Sequence, residues 1–176
     1  MTKIDTYREF MRSVVEPDFQ EFMADKGNLR KAWHCAGSLF HLHDWVYEAH
    51  KSRIDAKYTF HNDKTKQTRP VSSKVQFADS LGQTHPNFEL IRGIANASKH
   101  FKRRQDRPSK VNPPGMPSYA ANTYVSGTAF QPGAFQSNVF QTGRVKLQSS
   151  PTDIEFAGIA QSVFNMWNQL FEDEKW

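Results

Sequence analysis

Cysteine is nearly missing from this chain: Cys35 is the only one in 176 residues. One thiol closes no internal disulfide, so packing alone must hold the fold, which suits a reducing compartment. Long hydrophobic runs are missing too. Mean hydropathy is −0.71, and no stretch approaches the roughly 18 apolar residues of a membrane span. The opening MTKIDTYREF has no apolar run of the signal-peptide kind. These absences predict a protein of the cytoplasm that makes no membrane contact. Local chemistry motifs are equally scarce. There is no phosphate-cradling glycine loop, no CxxC, no GxSxG and no HExxH. No Glu is followed three residues later by His, the pairing that di-iron bundles use. No metal or cofactor is therefore expected, and the enzyme question stays open.

Aromatic residues are plentiful: 14 Phe, 5 Tyr and 4 Trp. The length suits one domain, residues 1–176, with a single core built from narrow apolar stripes. The formal charge is +5, which favours an acidic partner such as nucleic acid. That charge is uneven. KHFKRRQDRPSK, from Lys99 to Lys110, sets six cations against Asp106, and a second basic stretch runs from Lys51 to Arg69.

Apolar periodicity predicts helices. Ile4, Tyr7, Phe10, Met11, Val14 and Val15 recur at helical spacing, with a break or restart expected at Pro17. Gly27 and Asn28 suit a stop and a new cap. Over residues 29–52, Ala32, Ala36, Leu39, Phe40, Leu42, Val46 and Tyr47 share one face. Residues 53–71 are charged and aperiodic and read as a loop. Ser73 with Gln76 resembles a capping box for a short helix that Gly82 would end. Pro86 suits the first turn of a helix to about Arg104, and Ser150, Pro151 and Asp153 suit the start of the last one. Between them, near 106–149, lies an insert rich in Pro, Gly and Phe, irregular or with short β pieces. Within it Phe130, Phe135 and Phe140 are each followed by Gln, at residues 129–141. The expected fold is mainly α: a four- to five-helix bundle carrying this insert.

Two helices gather polar residues. On the helix from Pro86, Glu89, Arg92, Asn96, Lys99, His100 and Arg103 lie opposite the apolar stripe, as a solvated face or as a phosphate or proton-transfer site. Arg92, Asn96 and His100 are the candidate catalytic residues, with Lys99, Arg103 and Arg104 as binding residues. On the 29–52 helix, His34, His41, Asp44 and Glu48 form a strip, and His41 and Asp44 join the binding candidates. His43 falls on the apolar face and reads as a hydrogen-bonded core residue. His50 reads as a helix-end residue satisfied by the last carbonyls. Trp45, on the polar side, suggests a helix covered on both faces. Cys35 reads as structural.

FHLHDWVYEAH (residues 40–50) followed by LIRGIANASKHF (residues 90–101) resembles a pattern of small helical proteins of bacteria and phages. The pair is loosely similar to the HEPN superfamily (higher eukaryotes and prokaryotes nucleotide-binding domains). The resemblance implies a helical bundle, often dimeric, acting as a metal-independent ribonuclease or as a partner in toxin and defence systems. Catalytic members separate their arginine and histidine by four to six residues. Here Arg92 and His100 are separated by seven, and Gly93 follows the arginine. Three functions are expected from these features. The first is a helical module binding RNA or a nucleotide through its cations. The second is an interaction or structural subunit of a phage or defence system, which binds a protein through Phe130, Phe135 and Phe140. The third is a HEPN-like ribonuclease, working as a homodimer.

Overall fold

The computed structural model of the chain describes residues 4–98, 123–126, 144–147 and 153–176. α1 (Tyr7–Phe10) starts at Thr6, whose hydroxyl accepts from the Glu9 amide while the Glu9 carboxylate accepts from the Thr6 amide. Of the break or restart expected at Pro17, the structure shows the restart, without an interruption of the helical path. Met11–Val15 form a π turn that leads directly into α2 (Glu16–Ala24), with Pro17 in its first turn. The Glu16 amide bonds the Met11 carbonyl five residues back. The wider turn accommodates a proline ring that an unbroken α turn would crowd.

Asn28 caps α3 (Leu29–Lys57) as expected, its side-chain oxygen accepting from the Lys31 amide at 3.2 Å. α3 runs five residues past its expected end, with non-helical backbone at His50. Every residue of its expected apolar face is buried. Its polar side is partly covered too, because Trp45 stacks on Phe10 with ring centroids 5.0 Å apart, while Glu48 stays exposed. α3 therefore lies centrally, packed on α1, α2, α4 (Lys74–Thr84), α5 (Pro86–Ser98) and α6 (Phe156–Glu174). The fully buried Trp167 of α6 donates its indole N–H to the Leu39 carbonyl at 3.0 Å, which satisfies the one polar atom of the largest core side chain.

Residues 53–71 correct the loop expectation. Beyond the end of α3, β1 (Thr59–Asn62) and β2 (Gln67–Pro70) pair antiparallel, Phe60 opposite Arg69. Asn62 Oδ1 accepts from the Lys64 and Thr65 amides across the turn, the local contact that lets asparagine build turns. Gln83 on α4 ties the hairpin down, exchanging 2.8 Å hydrogen bonds with both backbone groups of His61. Only Phe60 of the two strands is buried.

Ser73 caps α4, accepting from the Gln76 amide, but the helix passes Gly82 and ends at Thr84. Gly82 instead permits close approach: a Cβ there would sit 2.6 Å from Glu89 Oε2. Two strands of the insert, β3 (Thr123–Ser126) and β4 (Arg144–Leu147), form an antiparallel sheet with β5 (Ile154–Glu155) just beyond it. β4 buries Val145 and Leu147, and the Val145 amide bonds the Lys26 carbonyl at 2.9 Å. Asp153 precedes β5, and α6 begins only at Phe156 with Glu155 as its cap. The later start is a correction, and pairing with β4 is its reason. Ser150, Pro151, Phe130, Phe135 and Phe140 lie outside the described residues, as does the expected stretch from Lys99 to Arg104. The fold is mainly helical with small β elements, and among the described residues no helix is long and apolar enough to cross a membrane.

His50 departs from its expected role. It sits inside α3, stacked on Trp176 (5.0 Å, 7°) and edge-on to Tyr7. Its Nε2 has no hydrogen-bond partner among the described residues. Burial, with Arg53 and Arg8 nearby, pushes its imidazole below the ordinary range. Beside it Glu174, buried, accepts from Lys57 Nζ at 2.5 Å and from the Tyr58 hydroxyl at 2.9 Å.

Candidate functional site

A polar seam runs where α3, α4 and α5 meet, and three of the expected site residues, His41, Asp44 and Arg92, belong to it. On α3, Asp44 Oδ2 lies 3.1 Å from His41 Nδ1, and Oδ1 lies 3.4 Å from Lys74 Nζ and 3.5 Å from His43 Nε2. Burial opposes ionisation of this carboxyl. The His41 hydrogen bond and the charges of His43 and Lys74 outweigh it and bring the group down to about 2.

His43 is buried as expected, its Nδ1–H donating to the Phe40 carbonyl at 2.6 Å. With that proton committed, only the imidazolium has an Nε2–H to offer Asp44. Burial disfavours the imidazolium, and Arg92 adds to the penalty by charge repulsion, so His43 titrates below its ordinary range. It is a neutral packing residue at pH 7, edge-on to Phe88.

On α5, Arg92 corrects the picture of a solvated face, since only 9% of the residue is exposed. Its Nη1 lies 2.6 Å from Asp79 Oδ1 on α4 and 3.4 Å from Glu89 Oε2 one turn earlier on α5. Glu89 is more buried than a surface carboxylate. Burial raises its pKa, Arg92 opposes the rise and Asp79 reinforces it, and the net shift is upward. Asn96 is half-buried on the same helix. Lys99, His100, Arg103 and Arg104 lie outside the described residues, so convergence of His100 with His41 and Asp44 is not described.

Between the hairpin and α4–α5 opens a cleft of about 390 Å³, its walls including Phe60, His61, Lys64, Asp79, Glu89 and Arg92. That volume falls at the lower end of the roughly 300–1,000 Å³ typical of small-molecule sites. Asp79 and Lys64 were not singled out from the sequence, and Glu89 was noted only as part of a charged face. The one local signal for them was the pair Glu89 and Arg92, three apart and so neighbours on a helix.

Among the described residues no group of three His, Cys, Asp or Glu side chains is placed to hold a metal ion. Cys35 is buried, and burial pushes its thiol far up, away from nucleophilic chemistry. In comparisons with known proteins the chain matches no family model, no curated protein and no solved structure, so functional argument rests on its own residues.

Proposed function

We propose that this chain is a helical module that binds an acidic partner, RNA or a nucleotide, using its basic hairpin as the contact surface. The observation that carries the reading is the placement of the Lys51–Arg69 charge. Six cations stand against Asp55 and Asp63, a net of +4. Lys51 pairs with Asp55, and Lys57 and Arg53 face Glu174. Lys64, Lys66 and Arg69 are exposed on the arm beyond α3, Arg69 donating to Gln67 Oε1, and every residue of β2 is exposed. An exposed, cation-bearing strand edge follows a phosphate backbone well. The sequence adds a second basic run, Lys99–Lys110, to the positive charge of the chain. A ribonuclease centred on Arg92 is supported less, because two carboxylates already neutralise that guanidinium.

The test is fluorescence anisotropy of a uridine-rich single strand over a range of salt. Affinity should fall steeply with salt, by about 0.7 in log–log slope per phosphate contacted. Replacing Lys64, Lys66 and Arg69 together by Gln should reduce that slope by roughly 2. A salt-independent affinity, or no binding at low salt, removes the reading.

A further inference from the structure

Two cations of the Lys51–Arg69 stretch meet one carboxylate at the foot of the arm. Glu174, the last residue of α6, is buried. Its Oε1 accepts from Lys57 Nζ and from the Tyr58 hydroxyl. Its carbonyl accepts from Arg53 Nη2 at 2.7 Å, and its Oε2 lies 3.8 Å from the same nitrogen. The partners differ in one respect. The Lys57 and Arg53 side chains are 62% and 55% exposed, so both cations can exchange this contact for solvent or a ligand, whereas the carboxylate stays covered.

The turn after α6 holds Glu174 in place. Lys175 takes left-handed backbone (φ 53°) and folds Trp176 back, so that its amide bonds the Phe171 carbonyl at 3.1 Å. The buried Trp176 ring stacks on His50, where α3 leaves helical geometry, and the Arg8 guanidinium donates to the Trp176 carbonyl. Past His50, α3 carries Arg53 and Lys57 and leads into β1. The end of α6 is thus fastened to the base of the hairpin.

A carboxylate makes the same charge-assisted contact to lysine and arginine that a phosphate oxygen makes. If both cations left it, a buried charge would stand unpaired, which is strongly unfavourable. We propose that Glu174 and Trp176 form an autoinhibitory clasp, in which the Glu174 carboxylate withholds Arg53 and Lys57 from a phosphate backbone bound along the hairpin. This rests on the nucleic-acid reading above and adds a control on how many phosphates the arm engages.

The experiment titrates the uridine-rich strand by anisotropy against the full chain and its variants over a range of salt. Glu174→Gln keeps an acceptor oxygen for Tyr58 and removes the charge. It should bind tighter than wild type at low salt, with a log–log slope steeper by about 1.4 for two further phosphates. Made in the Arg53→Gln, Lys57→Gln double variant, the same substitution should bring no gain. An equal gain there would come from net charge alone and overturns the clasp. Glu174→Asp keeps the charge but withdraws the carboxylate by one methylene, and should give a smaller gain in the same direction. It also covers poor folding of Glu174→Gln. If the folded variants bind no tighter than wild type, Glu174 only anchors α6, and the clasp falls while the hairpin reading stands. No strand binding by any of these proteins overturns both.

Discussion

Asp44 and Glu89 sit on neighbouring helices, α3 and α5. Their side chains are 30% and 27% exposed, and each lies close to a cationic side chain. They nevertheless shift in opposite directions. Asp44 has His41, Lys74 and His43 within 3.5 Å, and no acidic group is among the causes of its shift. Glu89 has one cation, at 3.4 Å, and shares it with Asp79, which takes the shorter 2.6 Å contact and repels Glu89 as a like charge. Similar side-chain exposure therefore does not mean equal acidity: burial raises Glu89 more than Asp44, and its one cation is shared. How many partners point at a carboxylate, and what else competes for them, decides the sign.

The largest test of this contrast is removal of the shared cation. Arg92→Ala leaves two carboxylates facing each other and should destabilise the fold by about 3 kcal/mol, read as a lower midpoint in urea, while Asp44 keeps its low pKa by NMR titration. If Asp44 rises as much as Glu89, the two sites are one network.

A middle-sized effect comes from pH. Asp44 is depressed, so its contribution is present above its ordinary 3.8 and is lost as pH falls towards 2. Asp44→Asn should forfeit about 1–2 kcal/mol at neutral pH, and the gap to wild type should close in acid. Glu89 is raised, so its protonated form is favoured by folding. Its contribution is present below 4.5 and is lost as pH rises through the raised value. Wild type should therefore gain on Glu89→Gln as pH falls towards 4.5, the opposite slope. Parallel slopes in urea titrations of the two variants would remove the contrast.

Smallest is Lys74→Gln. Its side chain is 53% exposed, so loss of the ion pair should cost at most about 0.5 kcal/mol, while the Asp44 pKa moves upward. A stability loss several times larger would show that Lys74 also packs against the core.

Long, periodic segments were legible before any coordinates. Leu39, Phe40, Leu42, Val46 and Tyr47 on α3, and Ile159, Ala160, Val163 and Trp167 on α6, repeat at helical spacing and are buried as a set. Asn28 and Ser73 were legible as caps because capping is a contact over three residues. The hairpin was not. It buries only Phe60, so no alternation marks it as β, and its stability comes from Gln83 and Ser80 on α4. The π turn that leads into Pro17 was hidden for a similar reason, since it has no composition of its own. At the candidate site, His41 with Asp44 followed from one-turn spacing. Asp79 with Arg92, thirteen residues apart on different helices, did not.

Local spacing, caps and apolar stripes are properties of neighbours along the chain. By itself, then, the sequence determined a mainly helical protein with an uneven positive charge, and Trp45 suggested an α3 covered on both faces. Burial and ion pairing between α4 and α5 depend on which faces meet in space. Only the tertiary structure decided that Arg92 is covered, that Gly82 admits Glu89, and that a charged stretch becomes an arm over a cleft.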